Sequence, residues 1–267
     1  MKINAAQIYQ SLEEIRAKTP LIHNITNYVV MNNTANALLA IGASPVMIHA
    51  EEEVEDMAAM ASALVINIGT LSPSWVRGMF KALAKAVSKS IPVIVDPVGA
   101  GATPYRTRTI RELISAGQPT IIRGNASEIM ALTGDRLNTK GVDSTAASNE
   151  AFQAAQNISE KHHCAVCISG AIDYIVESKR MMKVANGHPM MTKVTGLGCT
   201  ASALCGAFAV VDNKPLEAAA KAMVVMGIAG EMAVEKSAGP GSLQMNFLDI
   251  LYNLSANDIS QHLKMEE

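Results

Sequence analysis

Pro92-Val93-Ile94-Val95-Asp96-Pro97-Val98-Gly99-Ala100-Gly101 joins a short apolar run to a turn that opens with a carboxylate and carries two glycines. The same grammar recurs along the chain. Leu21-Ile22-His23, Pro45-Val46-Met47-Ile48, Ala63-Leu64-Val65-Ile66-Asn67 and Thr120-Ile121-Ile122 read as strands, each followed by a polar or glycine-bearing turn. Helical patterns fill the gaps. Ile8, Leu12 and Ile15 recur at steps of four and three, which predicts an amphipathic helix over 4–18 that Pro20 stops. Further helices are predicted over 31–40, 53–61, 73–88 and 106–116. Strands separated by helices of this length imply right-handed crossovers and a parallel sheet with helices on both faces.

The pattern changes beyond Thr145. A helix over 145–159 leads to Cys164-Ala165-Val166-Cys167-Ile168, then to Asp173-Tyr174-Ile175-Val176-Glu177 and a run over 180–184, read as antiparallel additions at a sheet edge. Past Cys199 the spacing of Ala, Met and Leu predicts helices over 201–211, 216–236 and 241–253. The fold expected is α/β: residues 1–267 as a single domain, with three layers around a mostly parallel central sheet.

Composition agrees with a layered core. Apolar residues make up 49% of the 267, yet aromatics only 4%, which suits buried parallel strands under Ala-rich helices. A formal net charge of -2 without a run of Lys or Arg argues against a nucleic-acid surface. The partner expected is a small molecule. Met1-Lys2-Ile3-Asn4-Ala5-Ala6-Gln7 has no apolar stretch of signal-peptide length, and no segment approaches the roughly 20 apolar residues of a membrane span. A cytosolic (cytoplasmic) location follows, in which Cys164, Cys167, Cys199 and Cys205 stay reduced. Cys164 and Cys167 form a C-x-x-C beside His162 and His163. On a strand, though, side chains three apart point to opposite faces, so a zinc or redox pair is disfavoured.

In open α/β sheets ligands bind beyond the carboxyl ends of the strands, and the residues there are unusually polar. They are His23, Asn24 and Asn27; His49; Asn67 and Gly69; Asp96; Arg123, Asn125 and Glu128; and Ser169 and Gly170. Asn27 and Asn33 read as local caps, and His23 and His49 as satisfied polar residues. Asp96 and Glu128 suit magnesium, a hard cation that takes one or two carboxylates together with substrate phosphates. A capping box from Asn125 to Glu128 is the competing reading. Arg123 adds a donor shaped for phosphate.

Val194-Thr195-Gly196-Leu197-Gly198-Cys199-Thr200-Ala201-Ser202-Ala203 reads as an anion-binding turn at a helix start. Thr195 and Thr200 offer capping hydroxyls there, and Cys199 sits where a thiolate forms more easily. Without G-x-x-x-x-G-K-[ST] the chain is not a P-loop protein.

Together these motifs carry a resemblance. Asp96-Pro97-Val98-Gly99, Asn125-x-x-Glu128 and Gly196-Leu197-Gly198-Cys199 resemble the ribokinase-like superfamily. His23-Asn24-Ile25-Thr26-Asn27-Tyr28-Val29-Val30 and Val194 to Cys199 are similar, more closely, to the hydroxyethylthiazole kinase family, over roughly residues 5–255. The resemblance implies ATP-dependent phosphorylation of the hydroxyethyl group of 5-(2-hydroxyethyl)-4-methylthiazole, a salvage step of thiamine biosynthesis. It implies that Met47, Asn24 and Gly196 contact the thiazole, and that Arg123, Ser169, Asn125 and Gly198 bind ATP. Asp96 and Glu128 hold Mg2+, and Cys199 stands beside the reacting hydroxyl where related sugar kinases carry Asp. A homotrimer with its sites at subunit interfaces is implied as well. Other readings are a sibling kinase of a pyrimidine or pyridoxal alcohol, an ATP-dependent dehydratase of hydrated nicotinamide dinucleotides, a covalent thiol enzyme, and a nucleotide-binding module without chemistry.

Overall fold

The computed structural model describes residues 3–134 and 144–267; Met1 and Lys2 of the leader reading lie outside them. In chain order the elements begin with α1 (Ala5–Lys18), β1 (Leu21–Ile25), α2 (Met31–Ala40), β2 (Ser44–Val46), α3 (Val54–Met60), β3 (Ala63–Asn67) and α4 (Pro73–Ser88). Next come β4 (Val93–Asp96), α5 (Pro104–Ala116), β5 (Ile121–Asn125), α6 (Ala126–Thr133), α7 (Ser144–His162), β6 (Ala165–Ser169), β7 (Asp173–Glu177) and β8 (Arg180–Val184). A 3-10 turn (Pro189–Lys193) leads to α8 (Leu197–Val211), α9 (Pro215–Glu235), α10 (Pro240–Asn253), α11 (Ala256–His262) and β9 (Met265–Glu266).

Among the described residues one nine-stranded sheet runs in the order β2-β1-β3-β4-β5-β6-β7-β8-β9. The first six strands are parallel and β7, β8 and β9 pair antiparallel at one edge. Alternation along the strands divides the interior in two. Ile22, Val65, Ile94, Ile121 and Cys167 pack with α1, α2, α8, α9, α10 and α11. Ile25, Ile66, Val95, Ile122 and Val166 pack with α3 to α7. The fold is thus the three-layer arrangement read from the sequence, and Cys164 and Cys167 fall into opposite cores.

Local chemistry explains where the elements start. Asn4 and Gln7 form a capping box at α1. Ser72 and Thr103 cap α4 and α5 ahead of a proline in the first turn, which is why α5 begins at Pro104, two residues before its apolar periodicity does. Strand boundaries needed correction. β1 continues to Ile25 because Asn24 and Ile25 pair with Val65 and Ile66 of β3, so His23 and Asn24 lie inside the strand instead of beyond it. β5 continues to Asn125, paired with Ser169. β2 stops at Val46 and leaves Met47 in the following loop. α11 and β9, seven and two residues long, are too short to show a hydrophobic period.

Helix α8 lies close on the sheet. A Cβ on Gly206 would stand 3.0 Å from Cγ2 of Val65 and 3.5 Å from Cγ2 of Ile22. Gly206→Leu is therefore expected to cost about 1–3 kcal/mol through overpacking. Gly241→Ala, on α10 with nothing within 4 Å of the new Cβ, is expected to be neutral or stabilising by up to about 1 kcal/mol. Urea midpoints of the two variants check the contrast.

Candidate active site

The alternation that buries Val65, Ile94, Ile121 and Cys167 against α8 and α9 places the residues two further on along each strand, Asn67, Asp96, Arg123 and Ser169, on that same face at its carboxyl end. Asp96 is only 1% exposed. Its Oδ2 accepts from Asn67 Nδ2 and from Ser202 Oγ, both at 2.8 Å. Burial pushes its pKa up to about 6, against the pull of Arg123 and of the Ser202 and Asn67 hydrogen bonds; the Glu128 charge adds to the rise. Arg123 donates from Nη2 to Ser169 Oγ at 2.8 Å. Burial works against its charge and Asp96 foremost works for it, with the balance upward. The guanidinium stays cationic.

Over this row stands the start of α8. Gly196 is its N-cap at φ 84°, and no side chain caps the helix. A Cβ on Gly196 would meet Val30 Cγ1 at 2.6 Å, and one on Gly198 would meet Arg123 Nη1 at 2.9 Å. Glycine is needed at the first position for conformation as well as space, whereas at the second a Cβ would displace the end of the Arg123 side chain. Neither threonine caps as the sequence suggested. Thr195 is exposed, and Thr200 Oγ1 lies 3.3 Å from Thr34 Oγ1. The first N–H groups of α8 are left free, which strengthens the anion-site reading.

Cys199 departs from expectation. Its Sγ accepts from Asn27 Nδ2 at 3.5 Å, and the same Nδ2 donates to Asn67 Oδ1 at 3.0 Å. Asn27 therefore reaches across the sheet instead of capping its own loop, and Asn33 likewise accepts from Gln244 on α10 at 2.6 Å. Burial, then the Asp96 charge, raises the Cys199 thiol to about 11; hydrogen bonds to Asn67 and Asn27 and the Arg123 charge oppose this. The helix start does not make a thiolate here, because desolvation outweighs it. The other three cysteines are fully buried and free.

Asn125 and Glu128 do form the capping box of α6. Glu128 also does more: Oε2 accepts from Asn125 N and Oε1 from Gly99 N, each at 2.9 Å. Its carboxylate thereby joins the loop after β4 to the end of β5. Among the described residues no group of three His, Cys, Asp or Glu side chains could hold a metal ion. Two carboxylates with spare lone pairs beside an anion site do fit magnesium, which retains waters and takes further oxygens from phosphate.

A cavity of about 750 Å³ opens beside α8. Arg123, Ser169, Gly196 and Gly198 line it, as do Met191, Met223 and Met226. Asp96, Glu128, Asn125 and Cys199 lie off this wall. Met47 is half-buried after β2, also away from the cavity. Asn24 is fully buried, with Nδ2 donating to Ile22 O at 2.8 Å, and gives no surface to a ligand in this structure. His49 is not a hydrogen-bonded polar residue either. Its ring lies 4.2 Å from that of Trp75, with Tyr28 completing the cluster, and Nδ1 has no partner.

Ser202, Asp173 and Asn186 escaped the sequence reading. Ser202 stands three residues beyond Cys199 on α8, a helical spacing that was there to be seen. Asp173 lines the cavity, accepts from Gly170 N at 3.0 Å and is pushed up to about 6 by burial.

A buried carboxylate with a raised pKa has a defined effect on stability. Between about pH 4 and pH 6 the folded protein holds a proton on Asp96 that the unfolded chain has released, so this contribution is lost as pH rises through 6. In magnesium-free buffer at pH 7.5, Asp96→Asn is expected to raise Tm by roughly 3–6 °C. At pH 4 the gain should vanish. Thermal melts at the two pH values test this.

The sequence model of the hydroxyethylthiazole kinase family matches residues 12–257. A hydroxyethylthiazole kinase of Syntrophus aciditrophicus is 59% identical over 266 residues, 99% of this chain and 98% of its own. The solved structure of a hydroxyethylthiazole kinase protein from Pyrococcus horikoshii superposes with a TM-score of 0.89 at 44% identity, covering 97% of this chain and 98% of that one. A ribokinase-like superfamily protein from Enterococcus faecalis, at 13% identity, a TM-score of 0.66 and coverage of 92% and 95%, shares the fold alone. On the strength of its matched length and identity, the chain belongs to the hydroxyethylthiazole kinase family.

Proposed function

We propose that this protein transfers the γ-phosphoryl group of ATP to the primary alcohol of 5-(2-hydroxyethyl)-4-methylthiazole, giving the thiazole phosphate used in thiamine biosynthesis. One observation carries the reading: the Arg123 guanidinium lies against the uncapped start of α8 in the wall of a cavity of about 750 Å³. A cation and free N–H groups aimed at one point suit a polyphosphate. The methionines offer the base a polarizable wall.

In this reading Arg123, Ser169 and Gly198 bind the phosphates, and Asn125 orients the approach through α6. Gly196 and Met47 flank the thiazole. Asn24 is retained only as a support behind that site, since it is fully buried. Asp96 and Glu128 hold Mg2+ through their remaining lone pairs and its waters. When bound, the ion neutralises charge on the phosphates of the nucleotide.

Cys199 acts as a contact to the hydroxyl, and as a weak proton acceptor only through the small fraction present as thiolate. With its thiol held up at about 11 it is protonated at neutral pH, and a loose transition state needs little early deprotonation. Asn27, donating to Sγ, keeps the sulfur oriented.

The proposal includes a homotrimer with its sites at subunit interfaces. Tyr28 and Val29, 64% and 65% exposed directly after Asn27, supply apolar surface next to the site for such a contact. It includes residues 1–267 acting as one domain and a cytosolic location, supported by four unpaired cysteines. No helix among the described residues is long and apolar enough to cross a membrane.

Purified protein with magnesium-ATP and a panel of hydroxyethylthiazole, hydroxymethylpyrimidine and pyridoxal is expected to phosphorylate the thiazole. Product from either of the others alone would overturn the substrate assignment. Cys199→Ala is expected to keep measurable turnover, with kcat down about 10–100-fold. Asp96→Ala and Glu128→Ala should each lose about 1,000-fold or more. Equal, near-total loss in three folded variants would contradict the weak-base role.

A further inference from the structure

One wall of the large cavity is formed by chain between β8 and α8, where Asn186, Gly187 and His188 lead into the 3-10 turn. This stretch is outside any strand, so side chains must hold it. Asn186, 6% exposed, donates from Nδ2 to His262 O at 2.7 Å and accepts on Oδ1 from Lys264 N at 3.0 Å. A side-chain amide thus prolongs the ladder in which Ala185 N donates to Lys264 O at 2.8 Å and β8 pairs with β9. Gly187 N donates to Glu231 Oε1 at 2.8 Å, and Lys264 Nζ holds the same carboxylate at 3.0 and 3.1 Å. Underneath, a Cβ on Gly227 would stand 2.5 to 2.7 Å from Asn186 atoms, so α9 and the wall are in direct contact.

We propose that Asn186 is a positioning residue for the nucleotide, acting by clasping the C-terminal segment 262–266 behind the cavity wall. The inference rests on the cavity being the ATP site. Asn186 turns both ends of its amide to the tail, accepting from Lys264 N and donating to His262 O, and its Nδ2 also donates to Glu231 Oε1 of α9 at 3.4 Å, so one orientation serves all three contacts. Residues 258–267 lie beyond the stretch matched by the family model. Loss of the tail widens the cavity and weakens nucleotide binding, while the acceptor alcohol, which the proposed function sets at Gly196 and Met47 and which neither Asn186 nor the tail contacts, is unaffected.

The test compares wild type, a chain ending at Leu263, Asn186→Ala, Asn186→Asp and Lys264→Met. Each is measured for the Kd of a fluorescent ATP analogue with magnesium and for KM of ATP and of hydroxyethylthiazole, with folding checked by circular dichroism. Truncation and Asn186→Ala are expected to raise nucleotide Kd and KM about tenfold, roughly the effect of one or two net hydrogen bonds. KM for the thiazole and kcat should stay within about twofold. Asn186→Asp keeps the acceptor for Lys264 N but sets a carboxylate oxygen against His262 O and the Glu231 carboxylate, so it should weaken nucleotide binding at least as much as Asn186→Ala; Asn186→Ala carries the test if the truncated chain does not fold. Lys264→Met keeps the backbone N–H and loses only an ion pair whose lysine end is in solvent, so its effect should be smaller than that of Asn186→Ala. Unchanged nucleotide affinity in folded truncated and Asn186 variants overturns the inference, as does equal weakening toward both substrates. Wild type that binds no nucleotide overturns the ATP-site reading itself.

Discussion

An ionisable carboxylate at the end of a central strand must be kept in the interior, and most of the site follows from how Asp96 is accommodated. Moving such a group out of water costs several kcal/mol unless hydrogen bonds and opposite charge replace the lost hydration. Here β3 contributes Asn67, α8 contributes Ser202 and β5 contributes Arg123. Four elements therefore converge on one oxygen-rich point. Desolvation still wins in part, since the group titrates near 6 instead of in the usual carboxylate range.

The other polar residues hang from that arrangement. Asn67 must accept from the N–H of Gly69, which fixes its amide oxygen toward Asn27 and its nitrogen toward Asp96. Asn27 then has an N–H to present to Cys199. A single backbone donor at Gly69 sets the direction of hydrogen bonding through three side chains. The position of the thiol is controlled from the strand beside it.

Much of this was legible in the sequence, for a physical reason. Parallel strands buried on both faces read as apolar runs, and the first polar residue after each run marks a strand end, so Asn67, Asp96 and Ser169 declared themselves. The glycines at 196 and 198 did too, since backbone strain and close approach leave few alternatives. Pairwise side-chain geometry did not. Nothing in the spacing tells that Asn27 bonds Asn67 and Cys199 instead of its own loop, or that β1 runs two residues further because β3 is there to pair with it. The thiol of Cys199 was misjudged because the helix start is local and visible, whereas desolvation comes from packing. The C-terminal strand was silent because two residues carry no periodicity.

The contacts at the start of α8 span long stretches of chain: Ser202 to Asp96 over 106 residues, Thr200 to Thr34 over 166, Cys199 to Asn27 over 172. A ribosome must therefore complete about three quarters of the polypeptide before α8 can cover this centre. Until then Asp96 has neither Ser202 beside it nor a helix above it. Contacts of such high sequence separation form slowly, so the nascent chain can assemble the strand-end row of Asn67, Asp96 and Arg123 first and acquires the anion site at the start of α8 last.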